Sequence, residues 1–351
     1  MREKIVELLK DVKFPGTSAD LVSLKVPSTI ELGEDQKSAS LVLSIPVPFE
    51  DIAWQVKDLV RVALQKALPG LELTLKTETV VPFAKRSQSS IIPGSKIKQY
   101  IAVASGKGGV GKSTVSVNLA CALAKAGAKV GLLDADVYGP SVPSMFGIKR
   151  AMLLTGEDNR VIPMKRYDVE LMSIGFMLDN KRKSVLWRGP MLHGVMQQFL
   201  EDVAWGDLDY LIMDLPPGTG DVQMSICQLA PISGAVIVST PQDLALNVAV
   251  KAIDLFNALE RPIAGLIENM SFYICPKCGE RQDIFGTEGT QAMCEEFKVP
   301  LLGTLPLEAG VRKYGDKGTP IVLSDPDAAS GQAFDQTARC LAIRLAELAV
   351  Q

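Results

Sequence analysis

Nine consecutive residues, Gly106-Lys107-Gly108-Gly109-Val110-Gly111-Lys112-Ser113-Thr114, carry the groups that hold a polyphosphate. Glycines let the backbone curl until successive N–H groups converge on one anion. Lys112 would reach the β- and γ-phosphates of ATP, and Ser113 would ligate Mg2+. The run follows an apolar stretch from Tyr100 and opens a helical pattern, so the positive end of a helix completes the cradle. That strand–loop–helix context separates a phosphate-binding loop from a chance cluster of glycines. Lys107 exceeds the ordinary pattern; taken alone, it reads as an exposed loop lysine.

Carboxylates end the apolar runs that follow. Asp134 and Asp136 close the run beginning at Lys129, and a carboxylate at the carboxyl edge of a parallel sheet faces the phosphate site. Asp134 is expected to be structural, while Asp136 is either a chemical group or a plain helix cap. Tyr210-Leu211-Ile212-Met213-Asp214 is an apolar strand ending in the carboxylate that would hold Mg2+. Pro216-Pro217-Gly218-Thr219-Gly220-Asp221 is placed to sense a γ-phosphate and move on hydrolysis, its prolines also fixing a tight turn.

A second kind of chemistry sits at Cys275-Pro276-Lys277-Cys278-Gly279. Thiolates at that spacing converge on one metal but fill only two of four positions. No second Cys-x-x-Cys occurs, the single histidine is His193, and Cys294 would add a third donor but not a fourth. Two chains would supply four thiolates about a two-fold axis. Soft thiolates suit zinc and an iron–sulfur cluster alike, so spacing leaves that choice open. A redox pair fits less well, since no helix begins at Cys275 to depress its pKa. Cys121, Cys227 and Cys340 are expected in the core, and His193 is expected to be structural. Met164, Met172, Met177, Met191 and Met196 are expected to pack at a core or dimer surface.

The elements that must position these groups change rhythm along the chain. Helical spacing of Ile5, Leu8, Leu9 and Val12, β-rich runs near 21–31 and 39–46, a helix over 50–68 and a strand over 71–80 predict a small α+β domain at 1–81. A Pro/Ser/Gly/Lys-rich linker is expected at 82–98. From 99 to 351, short apolar strands at 100–104, 129–133, 169–174, 209–214, 234–239, 262–267 and 299–304 alternate with helices, closing with a long helix at 327–349. This predicts an α/β fold, a doubly wound, mostly parallel sheet.

With 351 residues, 47% hydrophobic and 22% charged, the chain has the composition of a globular protein with a sizeable core. A net charge of −3 argues against nucleic acid and anionic lipid as partners. The stretch between Glu78 and Asp134 holds no acidic residue, yet it carries Lys85, Arg86, Lys96, Lys98, Lys107, Lys112, Lys125 and Lys129, a local field suited to a polyphosphate. No apolar run approaches the roughly 18 residues of a membrane span. With no export signal and no disulfide pattern, a cytoplasmic location is expected.

The loop resembles the deviant P-loop of the MinD/ParA/nitrogenase-iron-protein class of SIMIBI NTPases. From residue 100 onward the chain is similar to the Mrp/ApbC family of iron–sulfur carrier ATPases. The resemblance rests on that loop, on Asp134-Ala135-Asp136-Val137-Tyr138-Gly139-Pro140-Ser141, on Asp214 to Asp221, and on Glu268-Asn269-Met270-Ser271 leading into Cys275 and Cys278. It implies that Lys107 contacts nucleotide across a homodimer, that Asp136 orients the attacking water and helps hold Mg2+, and that Asn269 lies near the adenine. It further implies a 4Fe–4S cluster bridged between subunits, passed from a cluster donor to apo iron–sulfur client proteins. Residues 1–80 resemble the MIP18-type (DUF59) domain, here with Phe14-Pro15-Gly16 in place of an acidic-Pro start and no cysteine before Cys121, so docking is the expected role. Two rival readings remain: a MinD/ParA-like positioning or partition ATPase, and a zinc-stabilised nucleotide switch. The membrane form of the first is disfavoured by a closing helix with only Arg339 and Arg344 as basic residues.

Overall fold

The computed structural model describes residues 1–34, 37–85, 92, 95–137, 139–149, 153–156, 159–177, 189–286 and 289–351. Tyr138 and residues 86–91, 93 and 94 of the expected linker lie outside the described residues, as does the side chain of Asp221. The chain divides into two compact units, Met1–Phe83 with Ala342–Gln351, and Ala84–Leu341.

The first unit contains α1 (Arg2–Lys10), β1 (Pro27–Leu32), β2 (Ser38–Ile45), α2 (Glu50–Ala67) and β3 (Glu72–Thr79). Strand β2 buries Ala39, Leu41, Leu43 and Ile45 and leaves the alternate positions half-buried, as a one-sided strand should. It pairs antiparallel with β1 and parallel with β3, the latter through the α2 crossover. Ile52, Val56, Val60 and Leu64 recur every fourth residue along α2 and form its buried stripe.

The first β-rich run starts later than its composition suggests. Leu21–Lys25 is a turn, because the Asp20 carboxylate accepts the Val22 and Ser23 N–H groups at 2.9 and 2.8 Å. Those local bonds compete with a ladder, and pairing begins only at Pro27. Residues 342–351, expected within the larger domain, group instead with the first unit. There Ile343 Cδ1 sits 3.1 Å from the point where a Cβ on Gly16 would stand.

The second unit is built on one sheet. Its elements run β4 (Gln99–Ala104), α3 (Lys112–Lys125), β5 (Val130–Asp134), α4 (Val142–Met145), a small hairpin of β6 (Leu154–Thr155) and β7 (Val161–Ile162), β8 (Met164–Arg166) and β9 (Val169–Ser173). Then come α5 (Gly189–Glu201), β10 (Tyr210–Asp214), α6 (Asp221–Leu229), β11 (Gly234–Ser239), α7 (Asp243–Ala258) and β12 (Ile263–Glu268). A second hairpin, β13 (Tyr273–Ile274) with β14 (Arg281–Gln282), precedes α8 (Gly289–Phe297), β15 (Leu301–Thr304), α9 (Ala309–Lys317), α10 (Ile321–Ser324) and α11 (Ala329–Val350), the last belonging to this unit as far as Leu341.

Eight strands pair in the order β15-β12-β11-β4-β10-β5-β9-β8, parallel except at β8. Every residue of β4, β5, β10 and β11 is buried, which explains their unbroken apolar runs: helices cover both faces. The connection from β4 crosses β10 to reach β5, while β11 lies on the other side of β4. Chain direction across the sheet therefore reverses at β4, and ligands of such sheets bind beyond the carboxyl ends at that point. The edge strand β8 has no apolar period to betray it; it forms because Tyr167 and Asp168 take φ of 51° and 57° and turn the chain tightly back into β9. Among the described residues, no helix is long and apolar enough to cross a membrane.

Candidate functional site

The glycine loop leaves β4 at the carboxyl edge and ends at Gly111, which caps α3 with φ 85°. Asn269 explains why glycine is required there. Its side chain donates to Val110 O at 2.8 Å, and a Cβ on Gly111 would stand 2.2 Å from Asn269 Nδ2. Gly111→Ala is therefore expected to displace either the loop or Asn269 and to weaken nucleotide binding by about tenfold or more, since the strained φ and the collision act together. Titration with a fluorescent nucleotide measures this, and unchanged affinity would refute the fit.

Lys112 opens α3 and is only 6% exposed. Its Nζ lies 2.8 Å from Asp214 Oδ1 and 3.8 Å from Asp136 Oδ2. Asp214 is fully buried at the end of β10, and three groups satisfy it. Besides Lys112, Ser113 Oγ donates to Oδ2 and Ser116 Oγ to Oδ1, both at 2.6 Å. Ser116 escaped the sequence reading. The available signal was its place one turn after Lys112, whose carbonyl it also bonds at 3.1 Å.

Asp134 stands beside Asp214 in the β5–β10 register and is fully buried. Burial, then the Asp214 charge, pushes its carboxyl up to about 8, against the opposing Ser173 hydrogen bond and Lys112 charge. Its oxygens accept from Asp136 N at 3.3 Å, Val142 N at 3.3 Å and Ser173 Oγ at 2.9 Å. Asp134 thus ties the backbone of Asp136 to α4 and to the end of β9, which fits the structural reading. Asp136 accepts from Gly139 N at 3.2 Å, an Asx-type turn that holds its carboxylate near Lys112. Ser113 Oγ with the Asp214 and Asp136 carboxylates is a hard oxygen set beside a phosphate cradle, and these donors fit Mg2+. The segment after β10 is tied to the same edge, with Leu215 N donating to Val103 O at 3.0 Å and Gly218 N to Ser105 O at 2.9 Å.

Beside the loop lies a cavity of about 600 Å³, lined among others by Gly111, Asn118, Asn269, Leu307, Arg312 and Ile321. Its size and mixed lining suit a nucleoside. Asn269 is on its wall and at the loop simultaneously. The stretch 306–321 was not singled out from sequence, although it follows the carboxyl end of β15, the edge where ligands bind. Lys107 points its Nζ to Gln242 Oε1, at 3.5 Å, just ahead of α7.

Cys275 and Cys278 occupy the turn of the β13–β14 hairpin. Cys275 N donates to Glu280 O at 2.9 Å and Gly279 N to Cys275 O at 2.8 Å, with Gly279 at φ 74° closing the knuckle. The backbone N–H groups of Cys278 and Lys277, with the Cys278 thiol, bond Cys275 Sγ and draw its pKa below the ordinary thiol value. No helix is needed for that, as the turn's own amides do it. Cys278 is exposed and Cys275 half-exposed.

Other sulfurs stay away from the knuckle. Cys294 packs inside an apolar cluster with Leu246, Ile253 and Leu266, where burial pushes its thiol up to about 11. Cys121 and Cys227 are buried, whereas Cys340, expected in the core, is half-buried on α11 with Gln336 Nε2 3.7 Å from its sulfur. Met172 and Met196 are core residues, but Met177 and Met191 are each 53% exposed. Among the described residues, no cluster of three or more His, Cys, Asp or Glu side chains could hold a metal.

A glycine loop between a central parallel strand and a helix, a buried lysine on two strand-end carboxylates and an adjoining nucleoside cavity define a P-loop NTPase. Residues 96–342 match the family described as ParA, NUBPL iron-transfer P-loop NTPase. The iron–sulfur cluster carrier protein of Deinococcus radiodurans is 43% identical over 343 residues, covering 97% of this chain and 95% of its own. The chain belongs to this family of iron-transfer P-loop NTPases. Among solved structures, a nucleotide-binding protein from Archaeoglobus fulgidus in complex with ADP is 39% identical with a TM-score of 0.60, over 68% of this chain and 93% of that one. The cell-division ATPase MinD of Pyrococcus furiosus is 22% identical with a TM-score of 0.53, over 69% and 97%, a likeness of fold alone.

Proposed function

We propose that this chain is an ATP-dependent iron–sulfur cluster carrier that holds a 4Fe–4S cluster between two copies of itself and passes it to apoproteins. One observation carries the reading: a two-thiol knuckle, half of a cluster site, stands six residues beyond the asparagine that touches the phosphate loop. Two such knuckles supply the four thiolates a cluster needs. The names of the close relatives support the cargo, and the ADP-bound relative supports the nucleotide.

In this reading the backbone of Gly106 to Thr114 cradles the phosphates, Lys112 neutralises the β- and γ-oxygens, and Asn269 borders the adenine. Ser113, Asp214 and Asp136 hold Mg2+, which supplies charge neutralisation at the phosphates when bound. Asp136 also orients the attacking water. Lys107, half-exposed and directed at Gln242, is available to the nucleotide of a second copy. A donor supplies the cluster and client apoproteins receive it, with the 1–81 domain as the docking module and the cytoplasm as the setting. Arg339 and Arg344 are paired with Asp335 and Glu347 on their own helix, which argues against a membrane-positioning role for it.

Anaerobic reconstitution with iron and sulfide, followed by absorption and iron counting, tests the cargo. The wild type is expected to bind about four irons per pair of chains, and the Cys275→Ala/Cys278→Ala double variant none. Stoichiometric zinc in protein purified without oxygen, or equal iron in both proteins, would overturn the carrier reading.

A further inference from the structure

The cysteine knuckle has little holding it in place. From Pro276 to Ile284 every residue is exposed, and the β13–β14 ladder is two residue pairs long. Such a ribbon is marginal on its own, so its orientation depends on what lies at its base. That base is Phe272. The Arg281 guanidinium lies over the Phe272 ring at 4.1 Å, and its Nε and Nη2 both donate to Asp283 Oδ1, at 3.1 and 3.0 Å. Arg281 is thus clamped between the ring on one side and the carboxylate of the outgoing chain on the other.

Phe272 is equally bound to the nucleotide side. Its carbonyl accepts Leu307 N at 2.7 Å, and Leu307 lines the nucleoside cavity. One residue earlier, Ser271 N donates to Leu305 O at 2.9 Å while its hydroxyl bonds Glu268, and two residues before that Asn269 grips Val110 O. Met270 between them takes φ of 56°, a conformation a methionine adopts only when its surroundings impose it. The strap from Asn269 to Phe272 is therefore fixed to the phosphate loop at one end and to the cavity wall at the other. Past Phe272, contacts to that wall give way to the exposed hairpin.

We propose that the Phe272–Arg281 stack is the joint through which nucleotide occupancy sets the presentation of Cys275 and Cys278. A nucleotide in the cavity presses on Leu307 and Asn269 together, and both are fastened to the strap whose last ring carries the hairpin. Phe272 and Arg281 act as positioning residues: they touch neither nucleotide nor cargo. The inference deepens the carrier reading and rests on it only for the identity of what the thiols hold.

The test uses the full-length, reduced apoprotein, so it needs no cluster. Iodoacetamide alkylation of each cysteine is followed by peptide mass spectrometry, without nucleotide, with Mg-ADP and with a non-hydrolysable ATP analogue. In the wild type, Cys275 and Cys278 are expected to change rate by about fivefold or more between free and bound states, the scale of an ordinary coupling between sites, while Cys340 stays constant. Phe272→Ala and Arg281→Ala are expected to bring that ratio close to one with analogue affinity unchanged, and Phe272→Tyr to restore it. Arg281 is exposed, so its variant tests the joint without risk to the core. A wild-type pair indifferent to nucleotide, or an undiminished response in both alanine variants, would overturn the proposal. Loss of the carrier reading would appear separately, as failure to load iron with the alkylation response intact.

Discussion

Lys112→Met is expected to cut ATP turnover severely and to destabilise the fold in one stroke. Lys112 is the cation packed against Asp214 at 2.8 Å and near Asp136 at 3.8 Å, with Asp134 the register neighbour of Asp214. Methionine keeps the length and removes the charge. Among the described residues, Asp214 then retains the Ser113 and Ser116 hydroxyls, with its own side chain fully buried. Removing one partner of a buried pair costs about 3–5 kcal/mol, mostly as the uncompensated charge left behind. The same cation meets the phosphate charge that develops during transfer, and losing one such contact slows turnover by roughly a hundredfold to a thousandfold. Urea denaturation and phosphate release measure the two effects. A variant of wild-type stability would show that the carboxylates do not depend on this lysine.

Lys107→Ala is expected to do the opposite on the stability axis. Lys107 is half-exposed, and its ammonium makes only a long 3.5 Å approach to Gln242 among the described residues, so the fold and the affinity for a non-hydrolysable analogue should barely change. Turnover should fall by about a thousandfold, the scale of a cation delivered in trans. Mixing the two variants separates a trans role from a local one. In a mixed pair the Lys107→Ala chain supplies Lys112 and the Lys112→Met chain supplies Lys107, so one site of two is whole. Activity recovered on mixing two inactive proteins is the expected result; an inactive mixture, with pairing demonstrated, would return Lys107 to the status of a loop lysine.

The sheet and the phosphate loop were legible because both leave local marks: unbroken apolar runs on central strands and glycines where the chain must curl. What stayed hidden was hidden for identifiable reasons. The edge strand Met164–Arg166 is short and faces solvent, so it carries no period, and a turn geometry rather than composition makes it pair. Ser116 and Ser173 look like ordinary helix and strand residues until the fold brings buried carboxylates against them. The Cys275/Cys278 spacing was plain, but its lowered thiol pKa was not, since that comes from amides aimed by the hairpin turn and not from a helix end. Asn269 shows the limit from the other side. Resemblance put it beside the adenine, and its grip on Val110 and its fit against Gly111 appear only in three dimensions.

The two parts of the first unit are separated by the whole of the second: Met1–Phe83 is joined by Ala342–Gln351, with 84–341 between. On a ribosome, the small sheet and its two helices emerge early, and the segment carrying Ile343 reaches them only after every strand of the large sheet has been made. Domains that fold as they are synthesised ordinarily finish in order from the amino end. Here the amino-terminal unit is completed last, so a truncated or stalled product exposes its fault at the far end of the sequence from the lesion.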